Sequence, residues 1–257
     1  VGRVAFRYAD EIFSLGRELV DVVHERPVGR PLRLAVGLTF SVPKLVAYRL
    51  LEPALELPGG VELDVHEDRL PELLSRLVTH ELDLLLSDAP LVADLGGKGA
   101  GATAGDGAGA PSRKAFNHPL GESHATFFAA DALARRLRPG FPRSLDRAPF
   151  LMPMRGTPLR RELERWFDRH DLAPQIRGSF DDGALVKVFG QSGVGVFVAP
   201  SVIEQEIRAQ YDVAVVGRSD EIVERFYAIT VERRLKHPGV IAISSAARHD
   251  LFERGRH

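Results

Sequence analysis

A strand–helix–strand–helix–strand pattern occurs twice in this chain of 257 residues, once on each side of a glycine-rich break. In the first half, residues 32–36 and 82–86 are short and mostly apolar, which is typical of strands in a parallel sheet that helices cover on both faces. In the second half, residues 150–152, 175–179 and 194–198 are predicted to be strands. Two such α/β units predict two lobes with a ligand cleft between them, at the carboxyl ends of the strands.

Four further elements follow from the same kinds of periodicity. Residues 41–57 are predicted to form the first helix of the pattern, and residues 238–252 a final helix. Residues 124–129 and 226–231 are predicted to be additional strands.

The composition excludes several classes of protein. Apolar residues make up 44% of the chain, which is enough for a buried core. The absence of cysteine excludes disulfide scaffolds, thiolate zinc sites and cysteine nucleophiles. A formal net charge of −1 argues against an electrostatic contact with nucleic acid. Because no apolar run approaches the roughly 20 residues that span a bilayer and the first residues lack the layout of a signal peptide, we expect a cytoplasmic protein with no membrane partner.

Residues 1–26 are predicted to form a separate helix with an apolar seam. Its apolar positions alternate spacings of three and four residues, the pattern of a helix that pairs with another helix, and they are Ala5, Tyr8, Ile12, Leu15, Leu19 and Val22. A helix packed on its own domain would give the same periodicity, because fewer than four heptads are present. Residues 93–114 are predicted to be a flexible insert, since glycine and alanine dominate them and cannot bury enough apolar area to offset the entropy of ordering.

Two loops that begin helices contain hydroxyl residues. Thr39 and Ser41 lie in the loop 37–43, and Thr157 lies in the loop 153–158. Helix N-termini present unpaired N–H donors and the positive end of the helix dipole, which suit a polar or anionic ligand. The alternative interpretation is ordinary N-capping by Ser41 and Thr157.

Carboxylates follow predicted strands in both halves of the chain. Asp88 comes after the third strand, and Asp181 and Asp182 come after a strand of the second half. Carboxylate and hydroxyl oxygens are ligands for hard cations. Alternatively, Asp182 caps the next helix and Asp181 is solvated, so the sequence leaves a metal site open.

Signatures of catalysis are weak. The segment Gly190-Gln191-Ser192-Gly193-Val194 differs from a nucleophile elbow, because Val194 stands where that motif needs glycine. The nine histidines have no metal-ligand spacing. We therefore expect no enzyme, no catalytic residues and no cofactor.

Several motifs, in order along the chain, resemble the NhaR branch of the LysR-type transcriptional regulators. They are Arg7-Tyr8-Ala9-Asp10, Leu82-Asp83-Leu84-Leu85-Leu86-Ser87-Asp88, Phe180-Asp181-Asp182-Gly183-Ala184-Leu185 with Lys187 and Phe189-Gly190, and Phe197-Val198-Ala199-Pro200. The resemblance implies an α/β fold of two Rossmann-like lobes of the type 2 periplasmic-binding-protein kind, preceded by a dimerising linker helix over 1–26. It also implies that residues 31–92 and 232–257 form lobe I and residues 115–231 form lobe II.

The resemblance further implies an effector-sensing domain of a transcriptional activator that responds to sodium and controls a sodium/proton antiporter gene. The effector would be a small molecule or an ion. The resemblance makes Thr39, Ser41, Thr157 and Asp181 ligand-binding candidates, and local chemistry adds Asp88.

Assembly and DNA binding are also implied by the resemblance. Tyr8, Ile12, Leu15, Leu19 and Val22 would join subunits into a homodimer or homotetramer. Regulators of this family begin with a winged helix-turn-helix that these residues lack, so promoter DNA would be bound only through such a preceding domain. The alternative is a free-standing solute-binding protein with the same two-lobe fold, although such a protein needs no dimerisation helix.

Overall fold

The fold is built on a six-stranded sheet to which both halves of the chain contribute. The computed structural model describes residues 16, 31–91, 115–231, 233 and 235–252. The predicted dimerisation residues Tyr8, Ile12, Leu15, Leu19 and Val22 lie outside the described residues, as does the predicted insert 93–114, so both stay predictions.

The first half forms the predicted strand–helix–strand–helix–strand unit. Its central strand pairs in parallel with the other two strands, and its last six residues are buried, as a strand covered on both faces requires. The elements are β1 (Leu32–Thr39), α1 (Lys44–Leu55), β2 (Val61–Asp68), α2 (Leu70–Val78) and β3 (Leu84–Ser87).

The second half repeats this unit between two long strands. The repeated unit is β5 (Pro149–Pro153), α4 (Pro158–Arg169), β6 (Gln175–Phe180), α5 (Gly183–Gln191) and β7 (Phe197–Pro200). Before it come β4 (Phe116–Ala129) and α3 (Asp131–Leu137), and after it come α6 (Glu204–Gln210), β8 (Ala214–Thr230) and α7 (Pro238–Ala246). The predicted final helix is therefore present, as α7 followed directly by a turn of π-helix over Ala247–Leu251.

The long strands β4 and β8 connect the two halves. The sheet order is β2-β1-β3-β8-β4-β7, and β5 and β6 form a separate parallel pair. Residues 227–229 of β8 pair with β3, whereas residues 125–128 of β4 pair with β7. Along their whole length β4 and β8 also pair with each other in antiparallel fashion, with three register shifts. Because the two strands belong to the sheet of both halves, the lobe boundaries at residues 115 and 231 stay a prediction.

Buried side chains form a hydrophobic core in each half. In the first half, α1 and α7 pack together over β1, with Leu34, Leu50 and Ile243 fully buried. In the second half, the rings of Trp166 and Phe127 lie 5.0 Å apart. None of the helices in the described ranges is both long and apolar enough to cross a membrane.

Candidate functional site

One cleft lies between the two halves of the chain, at the carboxyl ends of β1, β3, β5 and β6. It contains about 740 Å³ of empty space that is open to solvent. Four of the five predicted ligand-binding residues line this cleft: Ser41, Asp88, Thr157 and Asp181. The cleft therefore lies where two α/β units are expected to form one, while the role of these side chains in ligand binding stays a prediction.

Ser41 does not cap the helix that follows it, so this interpretation is wrong. Helix α1 begins at Lys44, and its N-cap position is Pro43, which has no side-chain acceptor. The Ser41 hydroxyl instead donates a 2.5 Å hydrogen bond to Asp88 Oδ1. The buried Thr39 hydroxyl lies 3.4 Å from Ser41 Oγ, so Thr39 contacts the site through Ser41 and is not itself a lining residue.

The other two helices that begin at the cleft have side-chain caps, as the alternative interpretation predicts. Thr157 Oγ1 accepts a hydrogen bond from the Arg160 N–H at 3.3 Å at the start of α4. Asp182 Oδ1 accepts from the Ala184 N–H at 2.7 Å at the start of α5. The neighbouring Asp181 is exposed. Within the described part of the chain, α1 is thus the helix at the cleft whose N-terminus no side chain caps.

Lys187 is a cleft residue that was not among the predicted site residues. Helix α5 places it with only 4% of its surface exposed, and its Nζ donates a 2.9 Å hydrogen bond to the carbonyl oxygen of Gly183. Burial lowers the pKa of the Lys187 ammonium to about 8, although the charges of Asp182 and Glu224 act in the opposite direction. The cleft therefore contains a buried cation that could face an anionic group of a ligand.

Glu224 is the second cleft residue that the sequence prediction missed. It lies on β8 between the inward-facing Ile222 and Phe226 and is 7% exposed. Its Oε1 atom has no hydrogen-bond partner among the described residues. Burial, and secondly the charge of Asp88, raise the pKa of Glu224 to about 8, against the effect of Lys187. The alternation of side chains along a strand could have revealed this residue, because it places a carboxyl group on the core face.

A second cavity, of about 550 Å³, borders the same two carboxyl groups. Asp88 and Glu224 line both this cavity and the cleft, so they form part of the wall between them. Burial raises the pKa of the Asp88 carboxyl, against the hydrogen bond from Ser41 and the charge of Arg161. Over the ranges that the structure describes, no three His, Asp or Glu side chains are grouped to hold a metal ion.

Comparisons with known proteins agree on one family. Residues 26–251 match the model of the LysR substrate binding domain. The chain is 30% identical over 252 residues to the transcriptional activator protein NhaR of Escherichia coli (strain K12), covering 98% of this chain and 77% of that relative.

Solved structures show the same fold. The DNA complex of Vibrio fischeri DarR has a TM-score of 0.60 at 17% identity, covering 96% of this chain and 77% of DarR. The regulatory domain of Synechocystis PCC6803 CcmR in complex with 2-PG has a TM-score of 0.57 at 14% identity, covering 85% of this chain and 97% of that one. The expected type 2 periplasmic-binding-protein fold is thus confirmed. The chain contains the LysR substrate-binding domain, which is the effector-binding region of these regulators, and it therefore belongs to the LysR-type transcriptional regulators.

Proposed function

We propose that this chain is the effector-sensing part of a transcriptional activator that responds to sodium and controls a sodium/proton antiporter gene. Similarity to NhaR over 98% of the chain supports this function. The observation that carries it is the pair of carboxyl groups at the cleft, the partly buried Asp88 and the buried Glu224. Carboxylate oxygens together with the Ser41 hydroxyl are the ligand types that a hard cation prefers.

The proposed effector contacts come from both halves of the chain. Thr39, Ser41 and Asp88 lie on the first half, and Thr157 and Asp181 lie on the second. An effector that contacts both sides stabilises one relative arrangement of the halves over another, and only such a difference in affinity shifts the equilibrium. The strands β4 and β8, which join the halves, would transmit the change.

Assembly and DNA contact form the second part of the proposal. The helix over residues 1–26 joins subunits through Tyr8, Ile12, Leu15, Leu19 and Val22, to give a homodimer or homotetramer. Promoter DNA is contacted in the cytoplasm through a helix-turn-helix domain outside these residues. A strictly monomeric mass across the micromolar range would instead favour a free-standing solute-binding protein.

The proposed function is tested by deleting the gene and measuring antiporter transcript with and without added sodium chloride. We expect sodium to induce the transcript in the parent strain and not in the deletion strain, with induction restored by the gene in trans. Choline chloride at equal concentration controls for osmotic and ionic effects. Unchanged induction by sodium in the deletion strain would rule out the proposed function.

The proposed effector contacts are tested with the double variant Asp181→Asn, Ser41→Ala. If these residues bind the effector, the double variant should lose most of the effector's thermal stabilisation while keeping its fold. Because Lys187 and the uncapped α1 also suit an anion, the thermal-shift screen includes sodium, lithium and small organic anions.

A further inference from the structure

The carboxyl group of Glu224 is in an environment that the described residues do not satisfy. It is 7% exposed, and its Oε1 atom has no hydrogen-bond partner among those residues. A buried polar atom without a partner costs on the order of 1–3 kcal/mol, and more when it is charged. Buried polar groups in native proteins are therefore almost always paired, with protein, water or an ion. This unpaired oxygen is therefore available to a further bound group.

The charges around Glu224 indicate what kind of group this is. Asp88 lines both of the cavities that Glu224 lines, and the Asp88 charge acts on Glu224. Lys187 supplies one positive charge, and its Nζ is hydrogen-bonded to the Gly183 carbonyl. Once the Glu224 carboxyl gives up its proton, two carboxylates against one ammonium leave a single negative charge. Arg161 also acts on Asp88, but it is exposed, so water screens its charge.

We infer that Asp88 and Glu224 together bind one monovalent metal cation in the wall between the cleft and the second cavity, with the Ser41 hydroxyl as a third oxygen ligand. This inference rests on the proposed function, since it gives a location to the sodium response. Ser41 donates its proton to Asp88 Oδ1, and this donation leaves the lone pairs of its oxygen available to a cation.

The ligand set fits a monovalent cation better than a divalent one. Ca²⁺ takes six to eight oxygen ligands, and tight sites supply several carboxylates. Here two carboxylates are accompanied by Lys187, and among the described residues no three acidic or histidine side chains are grouped to hold a metal ion. A divalent ion would leave an excess positive charge beside the buried Lys187 ammonium. One monovalent cation neutralises the group.

The cation site does not fill the cleft. The cleft contains about 740 Å³ of empty space, far more than one ion occupies. Thr157, Asp181 and Phe180 line parts of the cleft outside the proposed ligand set. The cation and a second, organic ligand can therefore be bound at the same time.

The test is a sodium titration of the full 257-residue chain followed by thermal unfolding. N-methyl-D-glucamine chloride replaces sodium chloride to hold ionic strength constant. We expect sodium to raise the Tm of the wild-type chain, and Glu224→Gln and Asp88→Asn each to weaken the apparent sodium affinity at least about tenfold. Both substitutions keep the size of the side chain and remove a charge, and circular dichroism in N-methyl-D-glucamine chloride verifies that the variants fold.

Glu162→Gln is the matched control. Glu162 also lines the second cavity, but it pairs with Arg165 at 3.2 Å and takes no part in the proposed site. This variant should keep the sodium affinity of the wild type.

Three results would overturn the inference. If sodium still stabilises both Glu224→Gln and Asp88→Asn, the proposed cation site is ruled out and the proposed function is unaffected. A wild-type chain that sodium does not stabilise would count against the site, whereas the transcript measurement decides the proposed function separately. Stronger binding of calcium than of sodium at the same residues would exclude a monovalent site.

Discussion

The hydroxyl of Ser41 donates a 2.5 Å hydrogen bond to Asp88 Oδ1 and so links the loop after β1 to the end of β3. The two residues are 47 positions apart in the chain. The bond partly offsets the burial of the Asp88 carboxyl, because it opposes the rise in the pKa of that group. It therefore holds a carboxylate at the cleft and stabilises the fold at the same point.

Ser41→Ala is expected to destabilise the protein by about 1–3 kcal/mol, because it leaves a partly buried carboxylate without its donor. Urea unfolding at neutral pH measures the change. The control is Ser75→Ala, an exposed serine on α2, for which we expect a change within about 0.5 kcal/mol. Equal stability of the two variants would show that the Ser41 hydrogen bond contributes nothing to folding.

Thr157→Ala is expected to cost about 1 kcal/mol, because the side chain that caps α4 is lost. Thr157→Ser retains a hydroxyl acceptor for the Arg160 N–H and should stay close to the wild type. Urea unfolding of the two variants is measured without ligand, so a difference in their stability reports on the helix cap and not on a ligand contact. A serine variant as unstable as the alanine variant would contradict a capping role.

Glu224 makes stability depend on pH. Its pKa is raised from 4.5 to about 8, so between these values the folded state binds more protons than the unfolded state. The free energy of unfolding should therefore fall as pH rises through this window, by at most about 1.4 kcal/mol per pH unit.

Lys187 has the opposite effect at higher pH. Its pKa is lowered from 10.5 to about 8, so between these values the unfolded state binds more protons and the free energy of unfolding should rise with pH. Urea unfolding from pH 5 to pH 10 in sodium-free buffer measures both slopes. Glu224→Gln should remove the fall in the free energy of unfolding between pH 4.5 and about 8 and leave the rise above about pH 8. A pH profile identical to that of the wild type would show that Glu224 does not cause the fall.

The sequence predicts the duplicated α/β unit well, because several of its strands, such as β1, β3 and β5, are short apolar runs. It predicts β4 and β8 poorly, recovering only residues 124–129 and 226–231 of strands that cover Phe116–Ala129 and Ala214–Thr230. The missed portions contain proline, glycine and charged residues, which normally end a strand. In the structure the three register shifts between β4 and β8 accommodate such irregularities.

In the candidate site, too, local contacts could be predicted from the sequence and contacts between distant residues could not. Asp182 and Thr157 cap helices that begin next to them in the chain, and local sequence is sufficient to predict such contacts. The partner of Ser41 lies 47 residues away, so the local pattern wrongly favoured a cap. Glu224 was missed because the strand was predicted only over residues 226–231, so the alternation of Ile222, Glu224 and Phe226 on one face was not used.

The close contact between β5 and the residues before β7 depends on Gly195. A Cβ atom at this position would lie 2.9 Å from the carbonyl oxygen of Pro149, and that oxygen already accepts a 2.8 Å hydrogen bond from the Val196 N–H. Gly195→Ala should therefore cost about 1–3 kcal/mol, because neither backbone can move away without breaking this bond. Gly183→Ala is the control, since a Cβ there meets nothing closer than Lys187 Nζ at 3.9 Å. Urea unfolding should separate the two variants clearly, and a Gly195→Ala variant as stable as the control would show that β5 and β7 can separate at little cost.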